Sequence, residues 1–252
     1  MDLAPHLSLP IGLADATSTF ADPRVLLGLL ASYLLGAVPF GFVMVRLVKG
    51  VDLRTVGSGN IGATNAMRVL GRPLGLVAFL LDLAKGWVPA ALFAPWSTGH
   101  APFASDVSVA VPVLFGAAAV VGHVLPVYLR FKGGKAVATG CGALIAIDPL
   151  VFLVGGASWL VALGLSRMVS VASLAMAVAF AAAAWWRAPA HVDGAFLGAG
   201  SSALAVLILW RHRSNIGRIL KGTEPRIGAR RAAPDDSNGP APTTTHDQRT
   251  TR

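Results

Sequence analysis

Apolar stretches separated by short polar or basic links dominate the chain. Uncharged runs cover residues 25–45, 107–129, 136–147, 149–166, 168–186 and 194–210, and a seventh, 73–93, is interrupted only by Asp82 and Lys85. About 20 apolar residues in a helix match the ~30 Å hydrocarbon core of a bilayer. In lipid the backbone has to satisfy its own hydrogen bonds, either in helices or in a closed barrel, and nothing here shows the ten-residue alternation of barrel strands. The pattern therefore predicts an all-α fold, a polytopic transmembrane helical bundle. Run 136–147 is short for a spanning helix, and Asp148-Pro149 ends it as helix breakers do, so it is expected as a buried short helix or a re-entrant segment. Seven membrane helices are expected. Five full spans are the alternative, with one pair forming a hairpin that does not fully cross.

Composition agrees with a bilayer protein: 13% of the 252 residues are charged and 54% hydrophobic, far from the ~25% charged residues of a soluble domain. The lone cysteine, Cys141, has no internal disulfide partner and sits in an apolar run. The net charge of +9 would suggest nucleic acid in a soluble protein, but here the basic residues cluster at the ends of apolar runs, where anionic lipid or anionic substrate fits better. With the N-terminus outside, 18 of the 21 Lys and Arg residues fall on the inner side, leaving Arg24 and Arg187 outside and Lys85 in the membrane. The positive-inside bias thus predicts N-out, C-in. Residues 1–23 carry three Asp and no basic residue, unlike the positive start of a cleaved signal peptide, so the first helix is expected to be retained. Beyond 229 the Pro, Thr, Asp and Asn composition predicts a disordered cytoplasmic tail.

Three polar clusters interrupt the apolar chain, and the predicted topology puts all of them on one face. The first runs from Gly57 through Ser58, Asn60, Thr64 and Asn65 to Arg68. It contains G-x-G-x-x-G, but follows a spanning helix and a basic linker where a dinucleotide fingerprint needs a strand and a βαβ unit. Its glycines permit close backbone approach, Ser58 or Asn60 could cap a helix, and that helix would offer free N–H groups to an anion, with Arg68 two to three turns along. An ordinary capped helix with a solvated arginine reads the same residues. The second cluster, from His123 to Ala136, holds Lys132-Gly133-Gly134-Lys135. It is no Walker A loop, since Leu129 and Ala136 replace required residues, yet it could form a flexible cationic nest for phosphate. A positive-inside anchor accounts for the lysines but not for the paired glycines. His123 lies two turns inside a helix, a costly place for an ionisable group unless it lines a cavity. The third cluster carries Arg211, His212, Asn215, Arg218 and Glu224, the last being the only glutamate of the chain. Lipid attraction explains its arginines without needing His212, Asn215 or Glu224. Asp82 and Lys85, three apart on one helix, read as a bracing ion pair or as a functional intramembrane pair.

Taken together, G-S-G-N-I-G-A-T-N with Arg68, G-H-x-x-P with F-K-G-G-K, and R-H-x-x-N-I-x-R-x-x-x-G-x-E resemble the bacterial acyl-phosphate:glycerol-3-phosphate acyltransferase family, the PlsY type, over residues 25–228. Ala136 departs from that pattern, which usually continues with glycine. The resemblance implies an enzyme of the bacterial plasma (inner) membrane, moving a fatty acyl group from acyl phosphate to the 1-hydroxyl of glycerol 3-phosphate and yielding lysophosphatidate at a site facing the cytoplasm. It divides the chain into an external segment 1–23, a transmembrane acyltransferase domain 24–228 and the tail 229–252. It implies catalytic roles for Ser58, Arg68, His212 and Asn215, and substrate or phosphate contacts from Gly57, Asn60, Thr64, Asn65, Lys132, Gly133, Gly134 and Lys135. Glu224, Asp82, Lys85 and His123 are expected to be structural. The hydroxyl proton is left to either His212 or the donor's own phosphate. The bilayer and the two phosphate-bearing substrates are the expected partners, with no cofactor, metal, nucleic acid or obligate protein partner. The rival classes are a transporter for a phosphorylated solute and a scaffold whose basic loops grip lipid headgroups.

Overall fold

A computed structural model of the chain describes residues 21–100 and 108–228. The predicted tail from 229, and the predicted external segment up to residue 20, lie outside the described residues. Among those described, each apolar run becomes helix and there is no strand. Helices α1 (Pro23–Ala37) and α2 (Phe40–Lys49) form one apolar stretch broken at Val38-Pro39. Next come the short α3 (Ala63–Leu70), α4 (Arg72–Val88), a π-helical turn over Pro89–Phe93, and α5 (Ala94–Thr98). Then follow α6 (Ala110–Val124), α7 (Val137–Ile147), α8 (Pro149–Ser166), α9 (Val169–Arg187), α10 (Ala195–Arg211) and α11 (Arg213–Leu220).

Among the described residues five segments can cross a membrane by length and composition, namely α1–α2, α4–α5, α6 with the turn after it, α8, and α9 with the turn after it. A sixth is added when α10 is joined to α11, which leaves it at 58°. At 11 residues α7 is only about 16 Å long, short of a hydrocarbon core. Thr139 through Leu144 of this helix are buried, so protein rather than lipid surrounds it. It does not turn back on itself. It starts beside the Lys132–Lys135 loop and ends at Asp148, which Arg187 and His191 hold at the far end of α9, each at 2.8 Å. Asp148 also caps α8 by accepting from the Leu150 and Val151 N–H groups at 2.8 and 3.1 Å.

Small residues let the helices approach closely, as expected where lipid supplies no hydrophobic drive between them. At Gly86 and Gly142 a Cβ would overlap the Thr139 and Leu83 carbonyls, so α4 and α7 touch backbone to backbone. Phe180, Met176, Leu144, Cys141, Val151 and Leu197 fill the core between α7, α8, α9 and α10. Outward positions such as Leu160 and Leu165 of α8 are 66% and 85% exposed, which suits a lipid-facing surface.

One buried polar group ties the bundle together. Pro39 has no N–H to continue the helical ladder, and at this break the Val38 carbonyl accepts from the Phe40 N–H at 3.2 Å and from Lys85 Nζ of α4 at 2.8 Å. Lys85 pairs with Asp82 at 2.9 Å, both almost wholly buried, and His123 Nδ1 of α6 stands 3.9 Å from the same carboxylate. The Asp82–Lys85 pair therefore braces the break in the first span.

Candidate active site

The first cluster folds as a loop around one side chain. Asn65 on α3 is 1% exposed. Its Oδ1 accepts from the Ser58 N–H at 2.8 Å, and its Nδ2 donates to the carbonyls of Leu53, Val56 and Asn60 at 3.0–3.1 Å. Expected among the phosphate contacts, Asn65 instead has its amide committed to the loop, where it fixes the position of Ser58. Gly57 and Gly59 turn the chain with φ of +62° and +70°. Neither Ser58 nor Asn60 caps α3. The cap is Gly62, whose N–H donates to Asn60 Oδ1 at 2.8 Å, so the Asn60 oxygen is also engaged within the loop. Because the helix begins at Ala63, Arg68 lies in its second turn, nearer the loop than the expected two to three turns. Ser58, Thr64 and Arg68 are exposed.

In the second cluster the glycines serve close packing rather than a flexible nest. A Cβ on Gly134 would enter the His123 ring, and one on Gly133 would overlap the His123 and Val124 carbonyls. The Gly134 N–H donates to the His123 carbonyl at 3.0 Å. Both glycine carbonyls are taken by the Arg211 guanidinium, whose Nε donates to Gly134 at 2.9 Å and Nη2 to Gly133 at 2.5 Å. The left-handed positions of this loop are Arg130, Phe131 and Ala136, with φ of 52°, 61° and 60°. The departure noted at Ala136 thus falls where the backbone favours glycine, at a cost of about 1–2 kcal/mol for a residue with a Cβ. His123 is buried and is not among the residues that line the cleft described below. It is the packed joint between this loop and the Asp82–Lys85 pair.

The third cluster closes on the second. Lys135 Nζ donates to Asn215 Oδ1. Asn215 Nδ2 donates to Glu224 Oε1 at 2.6 Å, and Arg218 Nε donates to Glu224 Oε2 at 2.7 Å. Glu224 thus joins Asn215 and Arg218 near the end of the described chain. Burial works against its charge, but the hydrogen bonds from Asn215 and Arg218 keep the carboxyl below its ordinary value. Burial also pushes the Lys135 ammonium down to about 8, with nearby Arg218, Arg211 and Arg68 adding to the effect against the pull of Glu224. At the bend between α10 and α11, His212 places Nδ1 2.8 Å from the Ile208 carbonyl. A carbonyl can only accept, so Nδ1 carries the proton and Nε2 keeps its lone pair in the neutral ring.

All three clusters meet. A cleft of about 380 Å³ is lined by Arg54 and Gly59 from the first loop, Phe131, Lys132 and Gly133 from the second, and Arg211 from the third. Lys135 lies within the electrostatic reach of Arg68 and bonds Asn215, which links the same segments a second time. Asp82, Lys85 and His123 sit outside the lining. Sequence reasoning missed Arg54 and Arg211 as parts of this cleft. The signal available for Arg211 was its place next to His212, and for Arg54 only that it precedes the glycine-rich loop.

Such an arrangement offers fixed cations, neutral hydrogen-bonding groups and a turn of exposed backbone beside an apolar bundle, which suits anionic substrates carrying greasy chains. Residues 26–222 match the family model for glycerol-3-phosphate acyltransferase. The glycerol-3-phosphate acyltransferase of Rhodospirillum rubrum is 45% identical over 215 residues, spanning 84% of this chain and 95% of the relative. The crystal structure of PlsY, an integral membrane glycerol 3-phosphate acyltransferase, in its glycerol 3-phosphate form aligns with a TM-score of 0.71 at 40% identity, covering 81% of this chain and 96% of that one. Its lysophosphatidic acid form aligns with a TM-score of 0.69 at 39% identity, covering 81% and 95%. With the family model matched over residues 26–222, and nearly the whole length of these relatives and of the solved PlsY structures covered, the chain belongs to the PlsY-type glycerol-3-phosphate acyltransferase family of integral membrane proteins.

Proposed function

We propose that this chain transfers a fatty acyl group from acyl phosphate to the sn-1 hydroxyl of glycerol 3-phosphate, releasing lysophosphatidate and inorganic phosphate at the cytoplasmic face of the bacterial inner membrane. The observation that carries the reading is the convergence of three cationic segments, far apart in sequence, on one cleft at one end of an apolar bundle. The bound forms named for the PlsY structures, glycerol 3-phosphate and lysophosphatidic acid, support the acceptor and the product. The acyl donor is the one the family resemblance implies, and its chemistry suits this site: a mixed anhydride already has a good leaving group, so positioning and charge stabilisation suffice without a covalent nucleophile.

In this reading Arg68, Lys132 and Lys135 hold phosphoryl oxygens, while Ser58 and Asn215 orient them. Asn65 keeps Ser58 in place, and Gly133 and Gly134 let the lysine loop lie flat on His123. The Nε2 lone pair of His212 accepts a hydrogen bond from glycerol 3-phosphate. The acceptor hydroxyl attacks the acyl carbonyl, the carbonyl–phosphate bond breaks, and the departing phosphate takes the hydroxyl proton. Charge on the phosphate grows as that bond breaks, and the fixed cations stabilise it there.

The test mixes the purified protein with glycerol 3-phosphate and either acyl phosphate or acyl coenzyme A, then measures lysophosphatidate. Product from acyl phosphate is expected. Product from the thioester alone overturns the donor assignment, and an acylated protein recovered after denaturation with acyl phosphate alone overturns direct transfer.

A further inference from the structure

The lining of the cleft contains three cations, Arg54, Lys132 and Arg211, and no carboxylate. Lys135, Asn215 and His212 are not part of it. Two of the three cations are docked in the same manner. Arg54 spends Nε and one Nη2 hydrogen on Asp52, with Nε 3.0 and 3.2 Å from the two oxygens and Nη2 at 2.6 Å. Its guanidinium also lies 5.3 Å from the centre of the Phe42 ring. Arg211 spends Nε and one Nη2 hydrogen on the two glycine carbonyls. Each guanidinium has five N–H groups, so in both residues three are left without a hydrogen-bond partner among the described residues, including the Nη1 pair. A guanidinium held along one edge presents the other as a fixed fork, a geometry matched to phosphate oxygens.

Asp52 makes Arg54 more than a solvated surface charge. It caps the 3₁₀ turn Leu53–Thr55 by accepting from the Arg54 N–H at 2.8 Å, so one carboxylate fixes both the backbone and the side chain of Arg54. The Arg54 carbonyl lies under Gly59, where an added Cβ would approach it to 3.2 Å, which sets the arginine directly beneath the Ser58 loop. The reaction proposed above brings two phosphorylated molecules together, and two dianions cannot share one set of cations without strong repulsion.

We infer that Arg54 is a substrate-binding residue which, with Lys132 and Arg211, forms a second phosphoryl subsite beside the one at Ser58, Arg68 and Lys135. The subsite recognises a phosphoryl dianion, carried by either the acyl donor or glycerol 3-phosphate. The inference rests on the two-phosphate reaction proposed above.

The experiment uses the purified full chain, varying each substrate with the other saturating. R54Q is expected to raise KM for one substrate about 10-fold or more, the loss of a charge-assisted phosphate contact, while the other KM stays within about 2-fold. The substrate whose KM moves identifies the occupant. R54K, which keeps the charge but not the fork, is expected to fall between wild type and R54Q, and it serves alone if R54Q fails to accumulate. D52N is expected to raise the same KM by a smaller factor. A second readout needs no turnover: inorganic phosphate is expected to raise the thermal midpoint of wild type more than that of R54Q. Two unchanged KM values, or two that rise in parallel, overturn the subsite. A wild type that yields no lysophosphatidate, yet is stabilised by phosphate through Arg54, overturns the reaction and leaves the subsite standing.

Discussion

At the residue scale the site works through fixed charge. Arg68→Ala and His212→Ala are each expected to cut turnover 100-fold or more, on the order of the loss of one preorganised stabilising group, while the protein still inserts and elutes as wild type. A lipid-gripping scaffold would instead lose function gradually with each charge removed. Lys135 gives a pH prediction. Its ammonium is depressed to about 8, so the free protein carries the charge below that pH and loses it above. Activity limited by phosphate capture is expected to fall as pH rises through about 8, seen in kcat/KM, which reports the free enzyme. Lys135→Arg is expected to flatten that limb. Much of this was legible in the sequence, because cations and polar side chains in an apolar chain have few other reasons to be there. Asn65 was not: an asparagine that organises a loop and one that binds substrate have the same letter and spacing, and only the saturation of its amide by Leu53, Val56, Asn60 and Ser58 separates them. Arg54 was hidden for the opposite reason, since an arginine two residues after an aspartate reads as a neutralised surface pair.

At the element scale glycines decide how the parts fit. Gly134→Ala is expected to cost about 1–3 kcal/mol by overpacking against the His123 ring, read as a lowered thermal midpoint together with a loss of activity. Ala136→Gly is expected to be tolerated, since the left-handed backbone there suits glycine better than alanine. The brace between α4 and the broken first span makes a different prediction. Asp82→Asn leaves Lys85 buried beside a neutral partner and is expected to destabilise by about 3–5 kcal/mol, whereas replacing both residues with apolar ones of similar size restores much of the loss. Comparing thermal midpoints of the single and double variants checks it. The apolar runs predicted the helices well because in lipid a run has little else to become. Their ends were less legible. At Val38-Pro39 the proline marks the break, but the Lys85 group that takes the Val38 carbonyl lies 47 positions on, and no local pattern records that; α3 starts at Ala63 because Asn60 holds the Gly62 N–H, one of several polar residues in that loop that could have served.

At the scale of the whole molecule, function depends on every polar cluster reaching the same end of the bundle. Single cysteines placed at 64, 132 and 213 in a Cys141-free background are expected to react with an impermeant thiol reagent only when the cytoplasmic side is open. Labelling of any one of them from outside in intact cells would break the proposed arrangement. The sequence anticipated this shared sidedness through its basic bias, though not the means by which distant segments are clamped, because Arg211 on the glycine carbonyls and Lys135 on Asn215 are contacts across about 80 positions of chain. The link from Lys85 to Val38 bears on biogenesis. Alone in hydrocarbon, the leading segment would leave the Val38 carbonyl with only its 3.2 Å bond from the Phe40 N–H, and α4 would carry the Asp82–Lys85 pair without the backbone acceptor that Lys85 finds on the first span, so each is a poorer guest of lipid by itself. The two segments are therefore expected to enter the bilayer more readily together than apart, which insertion of the leading segment measured with and without α4 checks.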